Sequence, residues 1–485
     1  MKTFIKFIFS IIFIMTISCS KEIEDSIVVD VTNNDLTTRS DIKPDPNSYF
    51  VTKEMAVYFA KSFENKPQIV SIEPYLFNGT TCLYIINFEH GWMVVPADTR
   101  VRAVLGESEV DDLYPDNTEN AELKFWLKTT AESVYRAGEL EQDQYDENSI
   151  EIWESIRSAI EGGGLVGSVQ PGQASWVKVT TVRTNSDINA SVPHLLETKW
   201  GQGNPWNCTL PIDPSMYAEY GTSLRFFTGC VATAISQILY YYSTTQGDPL
   251  DLYHTITPSI ATHLGIIGGS YKYKLSLTRS GYNSVSDRWM YMPLTIDDTN
   301  GNFSYVSDLM MDVGVRMNST YSITSTESSL HVYTDVNPCG LSASAGGYSF
   351  TTARNDLVNN KPVIIVGYEG YYGHAWIIDG CEDWSMTTYT TNTYYEYQEG
   401  VIYPSGAVYL TDAEAQLECP GVYDGYSQTS STSDSSHYLL MNFGWSGDGN
   451  DGHYALVPSD GDWHGYTHSL RLFYNISAGP LLINE

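Results

Sequence analysis

The chain has 485 residues and a formal net charge of -32, from 58 acidic against 26 basic side chains. That length exceeds one ordinary domain and predicts two or three. A hydrophobic content of 42% excludes global disorder. The acidity argues against a nucleic-acid partner, because binding phosphate needs a basic surface. The 36 tyrosines fit an extracellular protein with wet surfaces.

Residues 1–18 read as an export signal. Lys2 and Lys6 precede an apolar run from Phe7 to Ile17 that is short for a membrane span. The run ends in Thr16-Ile17-Ser18-Cys19. A small residue before cysteine at this place resembles the lipobox of bacterial lipoproteins, which implies cleavage before Cys19 and acylation of its thiol. The acidic stretch Ser20-Lys21-Glu22-Ile23-Glu24-Asp25 resembles the tags that send some lipoproteins to the outer face of the outer membrane. The expected location is therefore the bacterial cell surface or outer membrane, held by lipid alone, with release of the mature chain after processing. The alternative reading is an ordinary signal peptide with an incidental cysteine.

Residues 19–47 are polar and acidic and read as a tether. Residues 48–161 read as a small α+β domain. Met55, Phe59 and Phe63 recur at helical spacing, and Cys82–Phe88 and Trp92–Val95 form a predicted hairpin around Glu89-His90-Gly91. Thr118 is a predicted cap for a helix carrying Leu123, Leu127, Ala131 and Val134. A third helix carries Ile152, Trp153, Ile156 and Ile160 and ends at Gly162-Gly163-Gly164. Residues 162–191, rich in Gly, Ser, Thr and Asn, read as a linker. Residues 192–485 read as a larger α+β domain, with a helix through Val231, Ala234, Ile235, Ile238 and Leu239 first. Strand-like runs follow at Val363–Val366, Ala375–Ile378, Tyr438–Asn442 and Tyr454–Val457. Ser427–Ser436 reads as an inserted surface loop. No internal repeat is evident.

The chemistry is concentrated in four segments. In Thr228-Gly229-Cys230-Val231-Ala232-Thr233-Ala234, the glycine permits a turn and the apolar repeat starts at once. Cys230 is thus expected in the first turn of a helix, where free N–H groups and partial positive charge favour a thiolate and can receive an oxyanion. In Gly373-His374-Ala375-Trp376-Ile377-Ile378-Asp379-Gly380, a histidine opens an apolar strand and is placed to exchange a proton with the thiol. In Asn442-Phe443-Gly444-Trp445, the asparagine oxygen can accept from the histidine ring and the tryptophan can shield that bond. In Trp200-Gly201-Gln202, the glutamine can donate to an oxyanion. Each segment alone has a plain structural reading. Together, in the order Gln, Cys, His, Asn, they fit a two-lobed thiol protease. The cysteines are widely spaced, with no C-x-x-C pair, so neither a disulfide framework nor a metal site is expected from them.

These segments, with Pro205, Asn207, Gln237-Ile238, Asp312-Val313-Gly314, Pro362-Val363 and Asp451-Gly452, resemble the streptopain-like cysteine proteases. The resemblance covers most of Val192 to Val457 and implies a two-lobed papain-like fold. Trp92-Met93-Val94-Val95-Pro96-Ala97-Asp98 and Val104-Leu105-Gly106 resemble that family's inhibitory propeptide. The resemblance implies a zymogen that hydrolyses protein or peptide substrates through a thioester. Cys230 is the implied nucleophile, His374 the base and Gln202 the oxyanion donor, with Asn442 and Trp445 supporting the histidine. Phe443 and Ser446 depart from the family, which often has Trp and Gly there. The processing site is expected in the linker, and no cofactor or metal is expected. Asp448-Gly449-Asn450-Asp451-Gly452 lacks the ligand spacing of a calcium loop, and His437, His453, His464 and His468 lack that of a metal site. The rival readings are a papain-fold amidase or acyltransferase acting on cell-wall peptides, and a non-enzymatic surface adhesin.

Overall fold

A computed structural model describes residues 49–110, 112–116, 120–161, 174–215, 224–245, 252–267, 270–283, 288–323, 326–328, 336–369, 372–404, 406–447, 452–454 and 470–478. The signal segment, Cys19 and the acidic tether lie outside them. The class is α+β, as expected.

The N-terminal unit begins with helix α1 (Lys53–Ser62), capped by Thr52, whose hydroxyl accepts from the Met55 N–H at 3.2 Å. Strands β1 (Ile69–Phe77), β2 (Thr80–Phe88), β3 (Trp92–Pro96) and β4 (Gly106–Ser108) form an antiparallel meander. The predicted hairpin is the β2–β3 pair. Gly91 closes it with a φ of +82°, in a space where a side chain would run into the Ser108 carbonyl. Helix α2 (Ala121–Tyr135) is capped by Asn120, whose side chain accepts from the Leu123 N–H at 2.8 Å. The expected cap, Thr118, lies outside the described residues. Helix α3 (Glu147–Glu161) completes the unit.

Next comes strand β5 (Trp176–Val192), which corrects the linker expected over 162–191 for its later part; residues 162–173 lie outside the described residues. It pairs antiparallel with a later strand, from Glu396↔Trp176 to Cys381↔Val192. The Thr/Ser/Asn composition that reads as a linker is here the polar face of a sheet whose partner lies some two hundred residues on. Helix α4 (Cys230–Thr245) is buried nearly all round. Strands β6 (Leu252–Ile267) and β7 (Ser270–Asn283) form a two-stranded sheet ahead of α5 (Phe303–Arg316), and Tyr273 of β7 also bridges to Tyr321 beyond that helix. Strand β8 (Leu341–Gly347), helix α6 (Phe350–Leu357), β9 (Val363–Glu369) and the 25-residue β10 (Tyr372–Glu396) follow. After β11 (Val408–Leu410) and α7 (Asp412–Glu418) come β12 (Tyr426–Asn442), β13 (Gly452–Tyr454) and β14 (Leu470–Ala478). The expected loop at Ser427–Ser436 is therefore the first half of β12, its hydroxyls paired with those of β10, as in Thr391–Thr429 at 2.9 Å.

The sheet runs β1-β2-β3-β4-β13-β12-β10-β9-β14-β8, so the N-terminal meander continues into the C-terminal sheet through β4 and β13. One hydrophobic core joins Trp92, Phe125, Trp126 and Leu127 of the N-terminal unit to Ile365, Trp376, Phe443 and Tyr454 of the C-terminal one. Another joins Phe59, Trp153 and Ile156 to Trp384, Met386 and Tyr438. The unit expected at 48–161 is thus fused to the remainder by sheet and core alike.

Within this junction Asp434 of β12 is buried, and burial pushes its carboxyl up to about 6, reinforced by Asp146 and opposed by Arg102. A carboxyl raised in the folded state stabilises fully below its ordinary value, and that stability is lost as pH rises through the folded value. Asp434→Asn is therefore expected to raise the melting temperature at pH 7.5, by about 2 kcal/mol of stability, and to leave it unchanged at pH 3.5. Thermal unfolding at the two pH values checks this.

Candidate active site

Cys230 is the first residue of α4 and is half-buried. Gly229 before it has a φ of +91°, and a Cβ there would press on Thr326 at 3.0 Å. Only glycine fits that turn without strain. One residue earlier, the Thr228 N–H and hydroxyl both donate to the Gln202 carbonyl, at 3.1 and 3.2 Å. The threonine hydroxyl also meets Thr233 of α4 at 3.1 Å. This clamp brings the Gln202 loop to the start of the cysteine helix. The loop is fixed at its other side by Asn207, whose amide donates to the Phe226 carbonyl at 3.0 Å, and by Trp200, whose indole N–H donates to the Pro293 carbonyl at 2.6 Å.

The Phe443-Gly444-Trp445-Ser446 turn lies on the same helix end. Gly444, at φ +75°, abuts the Thr233 methyl, where a Cβ would sit 3.1 Å away. Trp445 is half-buried against the core shared with the N-terminal unit. Ser446, which departs from the family pattern, adopts a φ of +58°, and its hydroxyl accepts from the Trp206 indole at 2.8 Å. That bond offsets the strain of a non-glycine residue in the left-handed region and couples the two loops.

His374 is the third residue of β10, opposite Gly367 of β9. Side chains alternate along a strand. Ala375 and Ile377 pack in the core around α4, to which Cys230 also belongs, whereas Trp376 and Ile378 pack toward the N-terminal unit. His374 shares the second face. Its ring lies 6.1 Å from the ring of Phe125 on α2, and that phenyl occupies the space a Cβ on Gly367 would need.

Alternation also decides the place of Asn442. It lies opposite Ile377 and so faces α4, not His374. Its Nδ2 donates to the Thr198 carbonyl at 2.6 Å and to Gln237 Oε1 at 3.1 Å. Its Oδ1 accepts from Gln237 Nε2 and the Gly444 N–H, both at 3.2 Å. All four positions of the amide are filled. The bond to His374 expected from the sequence is not among them. Gln237 entered the sequence reading only as part of a resemblance, and a buried glutamine mid-helix is the signal that singles it out.

Of the described cysteines, Cys82, Cys339, Cys381 and Cys419 are buried, and none is in a disulfide. Burial pushes the Cys339 thiol up to about 12 and that of Cys381 up to about 11, and raises those of Cys82 and Cys208. Among the described residues no group of three or more His, Cys, Asp or Glu is arranged to hold a metal ion. His437 instead bonds Asp383 at 2.9 Å, and residues 448–451, His464 and His468 lie outside the described residues.

The structure thus sets Cys230 at a helix N-terminus, clamps the Gln202 loop beside that helix end and packs the strand that carries His374 against the same helix. Residues 200–403 match the model of the Peptidase C10 family. The chain is 25% identical over 239 residues to the thiol protease/hemagglutinin PrtT of Porphyromonas gingivalis, covering 44% of this chain and 25% of that protein. The chain thus spans about a quarter of the curated relative it matches. It is also similar to two solved structures from Prevotella intermedia. One, a prointerpain A fragment, has 18% identity and a TM-score of 0.47, covering 84% of this chain and all of that one. The other, active interpain A cysteine protease, has 19% identity and a TM-score of 0.34, covering 59% and 95%.

With the full chain under mild reduction at pH 7, iodoacetamide is expected to modify Cys230 first among the described cysteines, since the others are buried or have raised thiols. Peptide mapping by mass spectrometry reads the order, and faster modification of Cys208 would overturn the assignment.

Proposed function

We propose that the protein is a cysteine endopeptidase made as a zymogen. The observation that carries the reading is the Thr228 clamp, which sets Gln202 beside the helix end that begins with Cys230. In the proposed reaction the Cys230 sulfur attacks a peptide carbonyl carbon. The oxyanion is received by the Cys230 N–H and the Gln202 amide. His374 takes the Cys230 thiol proton and passes it to the amine nitrogen as the C–N bond breaks, leaving a thioester. His374 then takes a proton from water, the hydroxide displaces the sulfur, and the acid product leaves with Cys230 regenerated. Trp445 walls the cleft beside the helix start.

The N-terminal unit is proposed as the inhibitor of its own enzyme. Phe125 packs against the His374 ring and over Gly367, which supports obstruction on the histidine side of the cleft. Pairing along β5 argues against a processing cut within Trp176–Val192, because a protease needs an extended, unpaired bond; the proposed cut narrows to residues 162–175. Because core and sheet are shared, cutting the chain does not by itself undock the inhibitor. Cys19 is proposed as a lipid anchor on the inhibitor's side of that cut.

In a casein assay after processing, Cys230→Ala is expected to abolish cleavage. Gln202→Ala is expected to lower kcat by about 10²-fold, the usual cost of one oxyanion donor. Full activity in Cys230→Ala, or digestion of peptidoglycan but not casein, would reject the endopeptidase reading. Cys19→Ser is expected to move the unprocessed chain from the membrane pellet to the soluble fraction; an unchanged distribution would reject the anchor.

A further inference from the structure

At the amide pair between Gln237 and Asn442, three site-bearing segments meet. Gln237 is fully buried, as is nearly all of α4 around it. Its Nε2 donates to Asn442 Oδ1, and its Oε1 accepts from Asn442 Nδ2 and from the Trp200 N–H at 3.2 Å. Asn442 in turn holds the Thr198 carbonyl and the Gly444 N–H. The segment ending in Gln202, the helix beginning at Cys230 and the turn leading to Trp445 are therefore fastened to one pair of side chains.

Helical geometry gives the pair leverage on the nucleophile. Gln237 follows Cys230 by seven residues, two turns of helix, so both leave α4 on nearly the same side, about 10 Å apart along its axis. On the sheet, Asn442 sits opposite Ile377, three residues along β10 from His374, again about 10 Å. Apolar packing lets a helix slide or roll at little cost. A reciprocal pair of amide hydrogen bonds is directional and tolerates neither motion.

We propose that Gln237, through its amide pair with Asn442, is a positioning residue that sets Cys230 in place relative to His374. The role of Asn442 is thereby indirect: it holds the cysteine helix rather than the histidine ring. This rests on the cysteine-peptidase reading above.

The test uses the full chain and its processed form with Gln237→Met and Gln237→Glu. Methionine keeps the volume but leaves the Trp200 N–H and part of the Asn442 amide without partners. Its kcat on a peptide substrate is expected to fall on the order of 10²-fold, the usual cost of about 1 Å of misplacement, with KM little changed and the pH profile of Cys230 alkylation shifted. Glutamic acid, while neutral, can donate its O–H to Asn442 Oδ1 and accept at its other oxygen. Gln237→Glu is thus expected to match the parent in acid and to lose activity as its carboxyl ionises. A Gln237→Met protein that melts lower but keeps the parent's kcat and alkylation profile would overturn the proposal. So would a constant ratio of Gln237→Glu to parent activity across pH, which decides the matter if the methionine variant fails to fold. Cleavage that persists in Cys230→Ala would instead sink the peptidase reading, while the alkylation profiles would still report on the amide pair.

Discussion

The structure depends on the alternation of side chains along β10. One face of its first residues, Ala375 and Ile377, packs on the helix that begins with Cys230. The other face, from His374 through Trp376 and Ile378, packs toward the N-terminal unit. A strand cannot turn one of these faces without turning both. Ala375 and Ile377 against the cysteine helix, and His374 beside the docked N-terminal unit, are held in one relation by that period of two.

The same strand explains why the N-terminal unit is not a separate plug. Beyond Gly380, β10 runs between β5 and β12, and this arm buries Trp384 and Met386 against Phe59, Trp153 and Ile156. At the other end of the junction, β4 pairs with β13 and extends the sheet. Undocking therefore breaks backbone pairing and exposes two apolar cores together. At this seam burial pushes the Asp434 carboxyl up, reinforced by the half-buried Asp146 and opposed by Arg102.

Polar groups, rather than apolar ones, decide the local geometry of the site. Thr228 grips the Gln202 carbonyl, Ser446 accepts from Trp206, and the Gln237–Asn442 pair joins helix to sheet. Each is wholly or partly buried, where an unmade bond is costly, so the loops have few alternative arrangements. Glycines 229 and 444 let the backbones come close enough for those bonds to form.

The sequence alone determined the local features. Helical and alternating periods gave α1, α2, α3 and α4 and the β2–β3 hairpin, because those patterns are written within a dozen neighbouring residues. The motif around Cys230 announced a helix start, because a glycine followed at once by an apolar repeat has few other readings. The tertiary structure decided everything that depends on a distant partner. The Thr/Ser-rich stretches of β5 and β12 look like linker and loop until each is set beside β10. Asn442 seemed destined for His374, and only strand register turned it to Gln237. The fusion of the N-terminal unit with the remainder was equally hidden, since residues such as Phe125 and Trp376 meet across some 250 positions. Local preference is encoded in neighbouring residues, whereas the facing of a side chain is settled by pairings that close only when the whole chain folds.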